Sequence, residues 1–600
     1  MTLAEAVPQT MIFNKGTFFT DIDNRGEQQE WFSLDYDKSN WMGVAVPGAW
    51  DFYSHAFWGY EGIGWYCLEI EGARVQPGYN QRLQFGRVSG QAKVWINGEL
   101  AGEHIGGYLP FEYDITSFLH TNGTNQVVVR VDNVPRSNWL PGTTLIEWIQ
   151  YGGILQPVKL VTSSTCFISS AAIEASPDQG GAKVTCKVAL TNTEAASFEG
   201  IIRLKIPAGS NIGNAEADNA VHTYTASIDV VCPAGQKAFF TTTIDMSKAQ
   251  LWTLESPQLY DVMVQLLGRG GEAVDEKQER FGVRTIEVQG TQICLNGEPI
   301  IIKGVNRYDE VDGYGQTVPE EVIRADLLKI KQAGVNCIRT HYPMDPLHMD
   351  IMDEIGLLLM EEIPLNWWLK PWEIDAEVDE AENNEIIDRA ESALQEMIER
   401  GRNHPCIIVW SMCNESGTNK PYGINAMRRL MRKARELDST RLVSFVAVGH
   451  TSGHQAFDEA DIVFINLYYG SVIEPFAYHI DQLNEFATAP TANHLRDTVA
   501  EFQGKPVVVT EFGMQAITGI HGDHRYSEAF QAAYIESVWQ AITSVDGVQG
   551  GLLWCWADYY HRRTLAGAWS AAYGSYGVVT IDRQDKEALH TLTRLFQDIV

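Results

Sequence analysis

From its first residues to about Thr165 the chain places apolar and polar residues in short alternating segments, such as Gly64-Trp65-Tyr66-Cys67-Leu68-Glu69-Ile70 and Gln126-Val127-Val128-Val129-Arg130-Val131, separated by glycine, asparagine and proline. Even spacing without an amphipathic helix predicts a jelly-roll-like β-sandwich over residues 1–165. Val94-Trp95-Ile96-Asn97-Gly98-Glu99-Leu100-Ala101-Gly102 reads as a hairpin, because an Asn-Gly pair suits the positive φ values of a tight turn. Aromatic residues are dense here; they serve as sheet packing or, if exposed, as a grip on sugar. Alternation continues through Ala182-Lys183-Val184-Thr185-Cys186-Lys187-Val188 and Tyr260-Asp261-Val262-Met263-Val264, predicting an immunoglobulin-like sandwich over 166–284.

After Arg284 the period changes. Apolar strands are predicted at Ile300 to Val305, Val335 to Arg339, Leu357 to Glu361, Cys406 to Met412, Leu442 to Val446, Ile462 to Leu467, Pro506 to Thr510 and Gly551 to Trp556. Amphipathic helical stretches such as Pro319 to Ala333, Asn384 to Arg402, Asn425 to Leu437 and Ser527 to Ala541 lie between them. Eight strand-helix units predict a (β/α)8 barrel over 285–600, with any active site at the C-terminal strand ends.

Two strand ends carry candidate chemistry. The run Cys406 to Met412 ends on Asn414-Glu415, and Val507-Val508-Val509-Thr510 ends on Glu511-Phe512-Gly513. A carboxyl at such a position is poorly solvated, so its pKa rises and it can donate a proton near neutrality. Two acids at the fourth and seventh strand ends make a catalytic pair. The competing reading is a barrel-rim carboxylate paired with an arginine. His341, Asp345, His348 and Asp350 lie close in sequence, as do His450 and His454, but neither group has a metal-ligand spacing, and no phosphate loop or dinucleotide fingerprint is present. No cofactor is expected.

Composition narrows the class. The 600 residues, 45% hydrophobic and 20% charged, are those of an ordinary globular protein. A formal charge of -32 argues against a general role on nucleic acid, which needs clustered Lys and Arg. Nine cysteines without CxxC spacing predict reduced structural thiols. No leader pattern or membrane-length apolar run is evident, so a cytoplasmic protein without membrane contact is expected. Asn414-Glu415-Ser416 is a glycosylation sequon, and a glycan there would block the site, which agrees with that expectation.

Several motifs in order resemble glycoside hydrolase family 2, the β-galactosidase and β-glucuronidase family. They are Val94-Trp95-Ile96-Asn97-Gly98 and Gly106-Gly107-Tyr108-Leu109-Pro110-Phe111 in the first sandwich, and Lys303-Gly304-Val305-Asn306-Arg307, Arg339-Thr340-His341-Tyr342-Pro343, Asn414-Glu415 and Thr510-Glu511-Phe512-Gly513 in the barrel. The resemblance implies a retaining exo-β-glycosidase that acts on a carbohydrate and assembles as a homo-oligomer. Glu511 would be the nucleophile and Glu415 the acid/base. Asn414 would bind the sugar 2-hydroxyl, Tyr468 would donate to the nucleophile, Trp554 would floor the pocket, His341 would line it, and Glu147 would reach in from the sandwich.

Specificity signals conflict. Length and Asn466-Leu467-Tyr468-Tyr469-Gly470 resemble β-glucuronidases, whose Asn-x-Lys motif after the last strand binds the substrate carboxylate. Here that place reads Tyr573-Gly574-Ser575-Tyr576-Gly577, and Ser471-Val472 replaces the usual Trp-Tyr. A neutral, galactose-like sugar is therefore the leading expectation. The alternatives are a glucuronide or galacturonide held by an atypical clamp involving Arg562, Arg563 or Tyr576, and a carbohydrate-binding protein without turnover. Trp367-Trp368-Leu369-Lys370-Pro371-Trp372 is either an aglycone platform, a packed loop or a subunit contact.

Overall fold

The structure is a computed structural model that describes residues 8–144, 146–207, 223–370, 380–449, 452–562 and 573–598. Its first unit stacks a four-stranded sheet (Gln9–Ile12, Val158–Ser163, Asn80–Phe85, Phe111–Asp114) on a six-stranded one (Met42–Ala45, Lys15–Thr20, Ile63–Glu71, Thr124–Asp132, Gln91–Ile96, Glu99–Ile105). Val127, Val129 and Val131 point from the central strand into the core between the sheets. On the opposite face Val128 is buried as well, under Trp31, Trp41, Trp65 and Trp95. The aromatic density of this region therefore serves packing. The predicted hairpin forms on Asn97 and Gly98, at φ 51° and 89°, the left-handed values such a turn requires.

The second unit pairs a three-stranded sheet (Cys166–Asp178, Gly181–Asn192, Lys237–Met246) with a four-stranded one (Thr223–Cys232, Phe198–Pro207, Tyr260–Gly268, Ala273–Phe281). Alternate residues Val184, Cys186 and Val188 meet Ile202, Leu204 and Val264 in its core. Asn403 joins it to the barrel: the side-chain amide donates to the Ala171 carbonyl at 2.9 Å and accepts from the Ile173 amide at 2.8 Å.

A small antiparallel sheet (Ile286–Gln289, Gln292–Leu295, Glu298–Ile300) leads into a closed parallel barrel. Its strands are β1 (Ile302–Asn306), β2 (Cys337–Arg339), β3 (Leu358–Glu362), β4 (Ile407–Asn414), β5 (Leu442–Val448), β6 (Val463–Asn466), β7 (Val507–Phe512) and β8 (Val548–Leu553). β4, β5 and β7 are buried along their whole length, as strands covered on both faces must be. β8 begins three residues before its predicted start. Gln549, Gly550 and Gly551 read poorly as strand, yet Gly550 lies at φ 104° with only 2.1 Å between its would-be Cβ and the Ile302 carbonyl, so the closure with β1 admits only glycine. Helices α1 (Glu320–Gln332), α2 (Pro346–Ile355), α3 (Glu380–Gly401), α4 (Pro421–Leu437), α5 (Ala489–Glu501), α6 (Glu528–Thr543) and α7 (Glu587–Gln597) accompany the strands. From β5 to β6 the chain passes instead through a short 3-10 turn, Gln455–Asp458. All nine cysteines are buried and unpaired. Among the described residues no helix is long and apolar enough to cross a membrane.

Candidate active site

A cavity of about 230 Å3 opens at the C-terminal strand ends. Glu415, Asn466, Tyr468, Glu511, Trp554 and Tyr576 line it together with Glu147, Trp367, Gln515 and His561. Register explains why residues so distant in sequence meet: parallel pairing sets Asn466 of β6 beside Glu511 of β7, and a bridge sets Asn366 beside Asn414. Glu415 leaves β4 with φ 42°, a left-handed backbone that a glutamate adopts only where the surroundings impose it. Its amide donates to the Val446 carbonyl at 3.0 Å, which holds that conformation.

Arg339, fully buried at the end of β2, organises the floor. One guanidinium nitrogen lies 2.8 Å from Glu511 Oε1 and 2.9 Å from Asn306 Oδ1. The other donates to Glu362 Oε1 at 3.0 Å and to Asn414 Oδ1 at 2.9 Å. Glu511 Oε2 accepts from the Tyr468 hydroxyl at 2.8 Å. Among the described residues no cation lies at hydrogen-bond range of Glu415, which accepts from Asn466 Nδ2 at 2.9 Å and Trp367 Nε1 at 3.0 Å.

These surroundings separate the two acids. Burial pushes the Glu415 carboxyl above its ordinary value, and only neutral donors and a more distant Arg339 pull against it. Burial also pushes Glu511 up, but His341 and Arg339 oppose the shift and favour its ionised form. Desolvation pushes Glu362 upward too, yet Arg339, His341 and Ser411 together outweigh it and hold the carboxyl below the usual carboxylate range. Burial drives Tyr468 well upward, so its hydroxyl keeps the proton it donates to Glu511. Two carboxyl groups facing a single cavity, one held by an arginine and a tyrosine hydroxyl and the other by an amide and an indole, have the arrangement of a general acid and a nucleophile.

Glu147 arrives from the tail of the first sandwich. It accepts from the Tyr559 hydroxyl, and His561 Nε2 lies 3.7 Å away. Trp554 lines the cavity and donates to Tyr559 Oη at 3.2 Å. Three expected positions differ. His341 packs behind Trp554, ring on ring at 4.9 Å, with its nitrogens 3.5 Å from Glu511 and Glu362, because the tryptophan occupies the space in front of it. Asn414 engages its amide with Arg339, Asn466 and Asn366 and supports the floor from below. Arg562 forms no clamp at the cavity: Glu61 grips its guanidinium, with one contact at 2.7 Å, and the Thr144 carbonyl takes another donor. That pair fixes the Tyr559 to Arg562 segment to the sandwich. Arg563, His450, Pro371 and Trp372 lie outside the described residues. Trp367 does line the cavity, whereas Trp368 is buried.

Sequence reasoning left Arg339, Glu362, Asn466, Gln515 and His561 out of the site. A signal existed for some of them: Glu361-Glu362 ends an apolar strand just as Glu511 does, and Asn466 closes the sixth strand. Among the described residues His341, Asp345, His348 and Asp350 do not converge; Asp345 caps α2 by accepting from the Leu347 amide at 2.9 Å. The cluster that does converge among the described residues, Asp353, His404 and Cys406, is held by an Asp353 to His404 contact of 2.7 Å and the Cys406 amide.

A parallel barrel beneath two β-sandwiches, with paired acids, an aromatic wall and a sandwich carboxylate in one cavity, defines a multidomain barrel glycosidase. The whole chain matches family profiles in succession: residues 15–164 "Glycosyl hydrolases family 2, sugar binding domain", 166–284 "Glycosyl hydrolases family 2" and 286–600 "Glycosyl hydrolases family 2, TIM barrel domain". The chain belongs to glycosyl hydrolase family 2. It is 26% identical over 599 residues to a β-glucuronidase of Paenibacillus borealis, covering 96% of this chain and 94% of that protein. To a β-galactosidase of Thermoanaerobacter pseudethanolicus it is 28% identical over 572 residues, 93% of this chain and 68% of the other. The crystal structure of Ruminococcus gnavus β-glucuronidase superposes with a TM-score of 0.86 at 23% identity, over 98% of this chain and 97% of that one.

Proposed function

We propose that the protein is a retaining exo-β-glycosidase in which Glu511 is the nucleophile and Glu415 the acid/base. Glu511 attacks the anomeric carbon as the bond from that carbon to the leaving oxygen breaks, and Glu415 transfers its proton to that oxygen. Glu415, now ionised, removes a proton from water; the water oxygen bonds the anomeric carbon and Glu511 departs. The observation that carries this reading is the asymmetry of the pair, Glu511 hydrogen-bonded to Arg339 and Tyr468, Glu415 to the neutral donors Asn466 and Trp367. Carbohydrate is the substrate, as the family requires.

For the glycone, the reading favours a β-uronide over the neutral sugar that the missing Asn-x-Lys motif suggests. Its support is the Paenibacillus β-glucuronidase, which the chain matches over 94% of that protein's length against 68% for the β-galactosidase. The donors available for a carboxylate at the cavity wall are Tyr576, Gln515 and His561. A neutral galactoside is the second reading, favoured by Glu147 in the wall and by the lack of Arg or Lys among the described lining residues. Initial rates on 4-nitrophenyl β-glucuronide, β-galacturonide, β-galactoside, β-glucoside and β-xyloside, with Glu511→Gln as control, test both. Faster uronide turnover is expected. Exclusive turnover of a neutral glycoside sinks the first reading, and turnover unaffected in Glu511→Gln sinks the catalytic assignment.

A further inference from the structure

Gln515 and Tyr576 both line the cavity, yet neither belongs to a strand or helix. Gln515 lies on the loop after β7 and Tyr576 on the segment after β8, so the wall they share has no ladder of its own to set its shape. Two buried side chains behind it supply that order. Gln531, near the start of α6, donates through Nε2 to the Met514 carbonyl at 2.8 Å and shares its remaining hydrogen between the Tyr576 and Gly577 carbonyls at 3.0 and 3.2 Å. Lys586 donates through Nζ to the Ala516 carbonyl at 2.9 Å and, at 3.2 Å each, to the Ser575 carbonyl and Asp558 Oδ1. Asp558 Oδ1 in turn accepts from the Gly577 amide at 2.8 Å. Each wall residue is thus gripped on both sides, Gln515 through Met514 and Ala516, Tyr576 through Ser575 and Gly577, and the same two side chains hold both.

Local structure explains neither residue. Gln531 is fully buried and its Oε1 meets no donor among the described residues, an unsatisfied acceptor that lowers stability. Lys586 is 1% exposed and occupies the N-cap of α7, a position that favours a side-chain acceptor and negative charge; a lysine offers neither. The Glu587 amide of that helix is capped instead from α6, by Glu528 Oε2 at 2.9 Å. Residues that break local rules in this way belong where a sequence serves a site.

We infer, resting on the glycosidase reading above, that Gln531 and Lys586 are positioning residues: they buckle the β7 loop to the segment after β8 and so fix the spacing of Gln515 and Tyr576, on which discrimination of the sugar's C5 substituent depends. Neither is among the lining residues of the cavity, so both act through the backbone they hold. The two acids have separate supports, Arg339 and Tyr468 for Glu511, Asn466 and Trp367 for Glu415. Loosening the buckle therefore moves the wall and leaves the acids in place.

Gln531→Met and Lys586→Met, which fill similar space without the donors, test this in the full chain. Each is assayed on 4-nitrophenyl glycosides of one ring configuration with and without the C5 substituent: β-glucuronide or β-glucoside against β-xyloside, and β-galacturonide or β-galactoside against α-L-arabinopyranoside. In both variants kcat/KM on the substituted glycone is expected to fall by about 10–100-fold relative to the pentoside, as a wall displaced by about an ångström implies. The loss should be the same for 4-nitrophenyl and 2,4-dinitrophenyl leaving groups, since Glu415 is untouched. Inhibition constants of the free substituted sugar and the free pentose give the same comparison in binding alone. Gln531→Met changes no charge and keeps the test open if Lys586→Met, which strands Asp558, does not fold. Equal losses on both glycones, or an unchanged ratio in a folded variant, overturn the inference, because a merely structural hub lowers the active fraction and so kcat for every glycone alike. Failure of both variants to fold overturns it too. Turnover of no glycone by the unaltered chain is a different result: it removes the glycosidase reading itself.

Discussion

Arg339 touches the proposed nucleophile Glu511 at 2.8 Å with one edge of its guanidinium and Glu362 at 3.0 Å with the other, so one cation is shared by two buried carboxylates. The planar fork is what allows it, since each edge meets a different acid while both remain in hydrogen-bond geometry. Arg339→Lys keeps the charge and loses the fork; kcat is expected to fall by about 10²–10³-fold through misplacement of Glu511. Arg339→Met leaves the carboxylates uncompensated and should cost about 3–5 kcal/mol in urea unfolding. A lysine variant with unchanged kcat would show that charge alone suffices.

With Glu415 as the proposed acid/base, its environment is expected to set the alkaline limb of activity. Burial raises its pKa, and the hydrogen bonds from Asn466 and Trp367 partly lower it again. Trp367→Phe removes a donor that favours the ionised form, so the alkaline limb of kcat/KM should move up by about half to one pH unit. Glu415→Gln should abolish that limb and slow phenyl glycosides by about 10²–10⁴-fold, with a smaller loss for 2,4-dinitrophenyl glycosides, whose leaving group needs no proton. A limb that persists in Glu415→Gln assigns the proton elsewhere.

What the sequence disclosed depended on whether the signal was local. Strands of the barrel are mostly apolar runs of three to eight residues, and their pattern survives without knowledge of their neighbours. As carboxylates at strand ends Glu415 and Glu511 were legible because Glu415 directly follows β4 and Glu511 lies at the end of β7. Arg339 sat in a recognised motif, but its role follows from contacts with Glu362, Asn414 and Glu511 that only closure of the barrel creates. Arg562 was misplaced for the same reason. Its partner Glu61 lies 501 positions away in another unit, and nothing near Arg562 in sequence announces a sandwich carboxylate. His341 was close in prediction yet stands behind Trp554, a matter of which ring lies in front, and periodicity carries no information about that.

Stability should decline as pH rises through neutrality. Glu310, buried where the first sandwich meets the barrel, accepts from the Tyr151 hydroxyl at 2.6 Å and the Tyr560 amide at 2.7 Å, and burial pushes its carboxyl up to about 7. Asp51, buried nearby under the Gly59 and Gly152 amides, is likewise pushed by burial up to about 7. A carboxyl raised above its unfolded value of about 4 binds more protons when folded, so its stabilising contribution is present below pH 4 and lost as pH climbs through 7. For Glu310 this is on the order of 3 kcal/mol. Urea midpoints measured from pH 5 to 8 should fall, and Glu310→Gln, which mimics the protonated group, should flatten the slope. An equal slope in the variant would place the proton uptake elsewhere.

On the proposed reading glycone choice turns on Tyr576, which lines the cavity within the segment where the resemblance places a lysine in β-glucuronidases. Burial drives this phenol upward, so it stays neutral and offers a substrate carboxylate one hydrogen bond but no charge. Tyr576→Lys sets an ammonium in the same wall and should raise the ratio of uronide to galactoside kcat/KM by about tenfold or more, since a charge-assisted hydrogen bond is roughly twice as strong as a neutral one. Glu147 in that wall is the competitor: if the new lysine pairs with it, the ratio stays put and KM for both glycones rises. Ionic strength separates the cases. A gain that comes from direct pairing in the desolvated cavity should change little between 0.05 and 0.5 M salt, whereas one from long-range attraction should fade over that interval. Tyr576→Phe completes the test, because loss of the single hydroxyl should depress uronide turnover and leave galactoside turnover the less affected of the two if Tyr576 faces the carboxylate, and should depress both equally if it does not.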